Sequence, residues 1–340
     1  MPKDSPFGTL SARVVVENEC SYLYVTNSDP AANPVMRCCW IKNHAVVPEG
    51  YDALKNMKKG MQPKILSKYC KSAEDLTPLN VENLELVWGE EGQAAFLFEN
   101  DNLVCVIPYW ANQELPGYSV FSNNENVSGV PISLGENNAM FENSKKAKEF
   151  WAQDFSVLWK EYQESYLNEL EEKYGENTNY YAIDGGNFPS KGLVIHEKDG
   201  ICYAFTVGLG LLKQPKVEMY LDDPAEYAHI ELGFSFSTET TFDRTNAYAQ
   251  ISSIAAIPWK YNTFLADRHT TEFQINETHK QGVLISSKHT PITHSDVLNA
   301  KNINLLWILP INTETFENLK NGDPHNEIEE RIKNGMVFQG

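Results

Sequence analysis

The densest group of chemistry-bearing residues is the stretch PWKYNTFLADRHTTEF, residues 258–273. It sets four aromatic side chains, Trp259, Tyr261, Phe264 and Phe273, around a compact polar group, Asp267-Arg268-His269-Thr270. An Asp-Arg-His cluster has two chemical uses. It can pair internally and fix a loop, or it can offer donors and acceptors to a partner beside aromatic contact area. A second aromatic segment, PYWANQELPGYS (108–119), carries Trp110 and Tyr118 among Pro108, Pro116 and Gly117, which mark it as a loop. The candidate partner-binding residues are therefore Trp110, Tyr118, Trp259, Tyr261, Asp267, Arg268 and His269.

Other chemistries find less support. His269, His279, His289 and His294 cluster in the last third, but their spacing matches no zinc motif, and H-E occurs only at His196-Glu197 without a second histidine. No G-x-S-x-G elbow is present for a serine nucleophile. Gly208-Leu209-Gly210 lacks the third glycine of a dinucleotide cradle, so GLGLL reads as a tight turn against the core. No catalytic residue, cofactor or metal is expected.

Charge narrows the partners. The 340 residues hold 28 Lys+Arg against 46 Asp+Glu, a net charge of −18, which makes nucleic acid a poor ligand. The acids are unevenly spread. Residues 1–71 carry 10 basic and 6 acidic side chains, whereas 72–142 carry twelve carboxylates and no Lys or Arg. Such a stretch either keeps a surface solvated or steers a basic partner. No apolar run is long enough to span a bilayer, and MPKDSPFGTL has no signal-peptide pattern, so a cytoplasmic protein with no membrane partner is expected. Six cysteines without a C-x-x-C pair, several in apolar contexts such as LVCVI, suit free thiols in a reducing compartment.

The elements that must hold these residues read as α+β, with mixed, mainly antiparallel sheets flanked by helices in two domains. RVVVE (13–17) and SYLYVT (21–26) suggest a hairpin, MRCCWI (36–41) a strand, and YDALKNMKKGM a helix ending at Gly60. LELVW, AAFLF and LVCVI follow as a meander. One aromatic-striped helix is expected from Lys145 to Tyr174, closed by Gly175, with domains over 1–144 and 145–340. The second domain opens with a hairpin turning at Asp199-Gly200. HIELGFSF then reads as a strand, and a helix from Asn246 is limited by Pro258. QGVLISS and the very apolar INLLWILPI are strands, the latter internal, and two short helices close the chain.

The succession FTVGLGLLKQP (205–215), HIELGFSF (229–236), ISSIAAIPWKYNTFLADRHT (251–270), GVLIS (282–286) and INLLWILPINTETFENLKNGD (303–323) resembles the suppressor of fused family over about residues 180–325. The glycine preceding that family's loop histidine is replaced here by Asp267-Arg268. The resemblance implies a non-enzymatic protein-binding domain. Animal members grip an extended segment of a transcription factor, and bacterial relatives act as immunity proteins against toxins. The acidic chain fits the bacterial role, with a basic toxin domain as partner. A scaffold or regulatory protein with another partner, and a hydrolase with an unrecognised site, are the alternatives.

Overall fold

The computed structural model describes residues 2–28, 36–290, 295–322 and 326–339. The architecture is α+β, and the chain divides into two compact units, residues 1–153 and 154–340. The sequence places a single helix over 145–174, whereas two helices stand there. α2 (Ala139–Trp151) ends before Asp154, whose carboxylate accepts from Ser156 N and Val157 N to start α3 (Phe155–Tyr174). An N-cap inside an unbroken aromatic period is what divides the stripe.

In the first unit, β1 (Pro2–Asp4), β2 (Leu10–Val16), β3 (Cys20–Asn27) and β4 (Met36–Asn43) form one antiparallel sheet. A helix of five residues, α1 (Ala53–Met57), follows, shorter than the sequence suggests. β5 (Leu84–Trp88), β6 (Ala95–Glu99) and β7 (Asn102–Ile107) make the expected meander, extended by β8 (Tyr118–Ser119) and β9 (Ile132–Ser133). Alternation along the strands sends Leu23, Cys39 and Ile41 against Leu97, Cys105 and Ile107 between the two sheets. The opposite residues Phe96, Phe98 and Val106 pack beneath Ala147 and Trp151 of α2. That packing puts α2 in the first compact unit, which ends at residue 153.

The second unit continues with β10 (Asn177–Ala182), β11 (Gly192–Lys198), β12 (Ile201–Val207), α4 (Val217–Tyr220), α5 (Pro224–Tyr227), β13 (Ile230–Ser237) and α6 (Arg244–Tyr261). β14 (Thr270–Glu272), β15 (His279–Ser286), α7 (Asp296–Ala300), β16 (Asn304–Asn312), α8 (Thr313–Asn321) and α9 (Asn326–Lys333) complete it. One sheet has the order β10-β11-β12-β13-β16-β15-β14, antiparallel except for β13 with β16. The hairpin turn lies at Asp199-Gly200, both with positive φ. β16 is internal, and eight of its nine residues are buried. Tyr162, Tyr166 and Leu170 of α3 pack with Phe205, Trp307 and Leu309 on one face. α6 lies on the other face, where Tyr248 meets Cys202 and Arg244 covers the Phe236 ring. Pro258 does not stop α6. Near a C-terminus the missing N–H costs a single bond, and Asn262, in left-handed backbone, caps the helix back to Pro258 O.

A buried carboxylate ties this unit together. Glu231 on β13 is fully enclosed and accepts four bonds. Tyr162 Oη of α3 (2.8 Å), Gly208 N (2.7 Å) and Gly210 N (3.0 Å) reach Oε1, and Thr206 Oγ1 of β12 (2.6 Å) reaches Oε2. Gly208 has φ of +109°, and a β-carbon there would stand 2.0 Å from the Trp159 ring, so only glycine admits this turn. Burial pushes the Glu231 carboxyl up to about 7, against the opposing pull of its donors.

The folded form therefore holds this proton more tightly than the unfolded chain does, so the contribution is full below the ordinary carboxylate value and is lost as pH rises towards 7. Relative to Glu231→Gln, wild-type stability should fall by about 3 kcal/mol between pH 4.5 and 7.5 in urea titrations. A pH-independent difference would show that the carboxyl is ionised throughout.

Candidate partner-binding site

The loop after α6 is held by one buried amide. Gln214, wholly enclosed, accepts from Leu265 N at 2.9 Å and donates to Leu265 O at 3.0 Å and Tyr227 O at 2.7 Å. Its own N–H reaches Ala228 O at 2.7 Å. The rest of the loop is sewn to β15: Arg268 N donates to Leu284 O at 2.7 Å, Leu284 N to His269 O at 2.8 Å, and Ser286 N to Asp267 Oδ1 at 2.7 Å. Arg268 sits at φ +63°. Arg268 thus adopts a left-handed backbone that glycine favours.

These bonds set out an aromatic shelf. The Tyr220 ring, at the end of α4, stacks on Phe264 at 5.8 Å and 23°, and Phe264 meets His269 at 5.1 Å. Tyr220 is 63 % exposed, with Met219 exposed beside it. Burial pushes the His269 imidazole below its ordinary value, so it stacks as a neutral ring at pH 7. Asp222 and Asp223 follow in the same segment, exposed and without an ion pair among the described residues, whereas Glu218 pairs with Lys213. Unpaired carboxylates beside stacked rings suit a guanidinium or ammonium group.

The residues singled out from sequence fare differently. Tyr261 is well exposed at the end of α6, with Lys260 Nζ 5.2 Å from its ring centre. Asp267, Arg268 and His269 are brought together, and their polar groups largely serve the loop itself. Arg268 pairs with Glu329 at 2.8 Å and lies 3.5 Å from Asp267, which His289 approaches at 3.8 Å. Trp259 is not a contact residue: it is 3 % exposed, and its indole donates to Lys213 O at 3.1 Å, so its ring is core. Trp110 and Tyr118, in the first unit, meet edge to face at 6.0 Å, both half-buried. The sequence reading missed Tyr220 and Gln214, because a four-residue helix leaves no period and a buried glutamine no motif.

The acidic stretch 72–142 is less bare than its composition suggests. Lys42 reaches Asp75 at 2.6 Å, and Lys148 bridges Glu85 at 2.8 Å and Asp101 at 3.4 Å, so lysines from outside neutralise part of it. Glu91 is buried and accepts from Ala94 N. Glu114, Glu125 and Glu136 remain exposed with no ion pair among the described residues.

Among the described residues no three His, Cys, Asp or Glu side chains converge as a metal site would require; His294 lies outside them. All six cysteines are free. No described helix is long and apolar enough to cross a membrane. No protein-family model matches the chain, and no curated protein does either.

Gln214→Ala should strand Leu265 N, Leu265 O and Tyr227 O together. Removing three buried bonds should cost about 2–4 kcal/mol by chemical denaturation and speed hydrogen exchange at Leu265. An unchanged exchange rate would show that the loop is held by other means.

Proposed function

We propose that the chain is a non-catalytic protein-binding module that captures a basic partner and neutralises it by covering its working surface. The suppressor-of-fused resemblance makes an immunity-type role against a toxin domain the specific form of this reading. The observation that carries it is the shelf of Tyr220, Phe264 and His269, with the exposed Asp222 and Asp223, which have no ion pair among the described residues, following Tyr220 in the same segment. Rigid aromatic side chains supply contact area at small entropic cost, and anions beside them select a cationic partner. The net charge of −18 accelerates encounter with such a partner before any contact forms.

A further feature supports capture of an extended segment. β10 ends the seven-stranded sheet, and its six residues, Asn-Thr-Asn-Tyr-Tyr-Ala, are all exposed and carry neither charge nor proline. Proteins ordinarily protect such edges, since an open edge accepts another strand. Glu231 and Asp267, carboxylates of the kind catalysis uses, make their hydrogen bonds within the fold.

The tagged full chain, expressed in its native cell, should retain one predominant basic protein at low salt and release it as salt rises. The variant Tyr220→Ala with Asp222→Asn and Asp223→Asn should retain at least about tenfold less. Retention of no basic protein by the wild type, or equal retention by the variant, would contradict this reading.

A further inference from the structure

The first unit carries an exposed surface of opposite character to the rest of the chain. Between Tyr51 and Lys64 the chain forms a loop with a fixed base. Tyr51 Oη accepts from Lys64 N at 2.7 Å, and the buried Lys64 ammonium donates to Val46 O and pairs with Glu19, each at 3.1 Å. Tyr22 Oη donates to Pro63 O at 2.6 Å beside it. The tip is α1 and the turn after it, closed by Lys58 N to Leu54 O (3.0 Å), Gly60 N to Met57 O (2.9 Å) and Met61 N to Asn56 O (3.1 Å). No residue of α1 is buried.

Two features coincide at this tip. Leu54, Met57 and Met61 recur at steps of three and four residues and are 69, 54 and 41 % exposed. Lys55, Lys58 and Lys59 stand among them, exposed and without an ion pair among the described residues. Large aliphatic side chains held in water by a braced loop have no folding reason to be there. Their company identifies the surface they fit. Protein interfaces concentrate aromatic residues, Met and Arg and deplete lysine, whereas residues 54–61 carry three lysines and neither an aromatic residue nor an arginine. Aliphatic side chains ringed by lysines match the boundary of an anionic bilayer, where the chains enter the acyl layer and the ammonium groups meet lipid phosphates.

We propose that the 54–61 tip docks the protein on an anionic phospholipid surface. The sequence expectation of no membrane partner rested on the missing apolar span, which excludes crossing a bilayer but not resting on one. The net charge of −18 does not prevent this contact, because the acids are unevenly spread and residues 1–71, which include the tip, carry 10 basic against 6 acidic side chains. Two lysines of the tip, Lys58 and Lys59, lie immediately C-terminal to the helix, free to turn towards a plane that the Leu54 and Met57 side chains enter.

The test is co-sedimentation of the full chain with vesicles of phosphatidylcholine containing about 30 mol % phosphatidylserine, against pure phosphatidylcholine. The wild type should bind the anionic vesicles at least about tenfold more tightly and be released by about 0.5 M salt. Lys55→Gln with Lys58→Gln and Lys59→Gln should lose that preference, and Leu54→Ser with Met57→Ser and Met61→Ser should lose binding, while both keep the wild-type melting profile. Equal binding to the two vesicle types, no binding to either, or anionic binding indifferent to both variants would overturn the proposal. Tip-dependent retention on immobilised polyglutamate without vesicle binding would assign the tip to an acidic protein and overturn it as well.

Discussion

The second unit depends on one buried carboxylate with four donors. Glu231 takes two backbone N–H groups from the turn at Gly208–Gly210 and hydroxyls from α3 and β12, so a helix, a strand and a tight turn share a single acceptor group. An enclosed carboxylate with fewer partners would be expensive to desolvate, so the site is strongly specified. From that turn the chain runs only a few residues to Gln214, whose amide holds the loop carrying Phe264. The exposed aromatic surface is thus supported in sequence by two buried polar groups, neither of which touches it. Rigid support of this kind lets an exposed ring pair act as a pre-formed contact.

Charge acts at two ranges in this protein. The acidic excess, spread over both units, sets a long-range field that favours cations. At short range, part of the stretch 72–142 is already answered by Lys42 and Lys148, while Asp222 and Asp223, in the segment that carries the Tyr220 ring, have no ion pair among the described residues. Where carboxylates stand without a cation matters more for recognition than how many there are. The same logic, with the signs reversed, applies to the tip at 54–61, where lysines without an ion pair among the described residues stand beside exposed aliphatic side chains.

Most strands were legible because β-branched and aromatic runs bounded by turn residues leave a strong local signal; the Asp199-Gly200 hairpin and the internal strand β16 are examples. The long aromatic helix misled because the 3.6-residue period continues across Asp154, and a cap is a single residue within it. Pro258 misled in the other direction, since a proline near a helix end costs too little to terminate it. At the candidate site, proximity in sequence gave Asp267, Arg268 and His269 their place together, while Tyr220 enters from more than forty residues away through tertiary contact. Trp259 was unreadable as core because an indole in an aromatic-rich segment at a helix end looks the same whether it faces solvent or Lys213 O.

Site-specific photo-crosslinking in the native cell bears most directly on capture through the shelf. With benzoylphenylalanine in place of Tyr220, irradiation should join the chain to one basic protein, and raised salt should abolish the adduct. No adduct at this position, or an adduct with many unrelated proteins that salt leaves unchanged, would contradict the account.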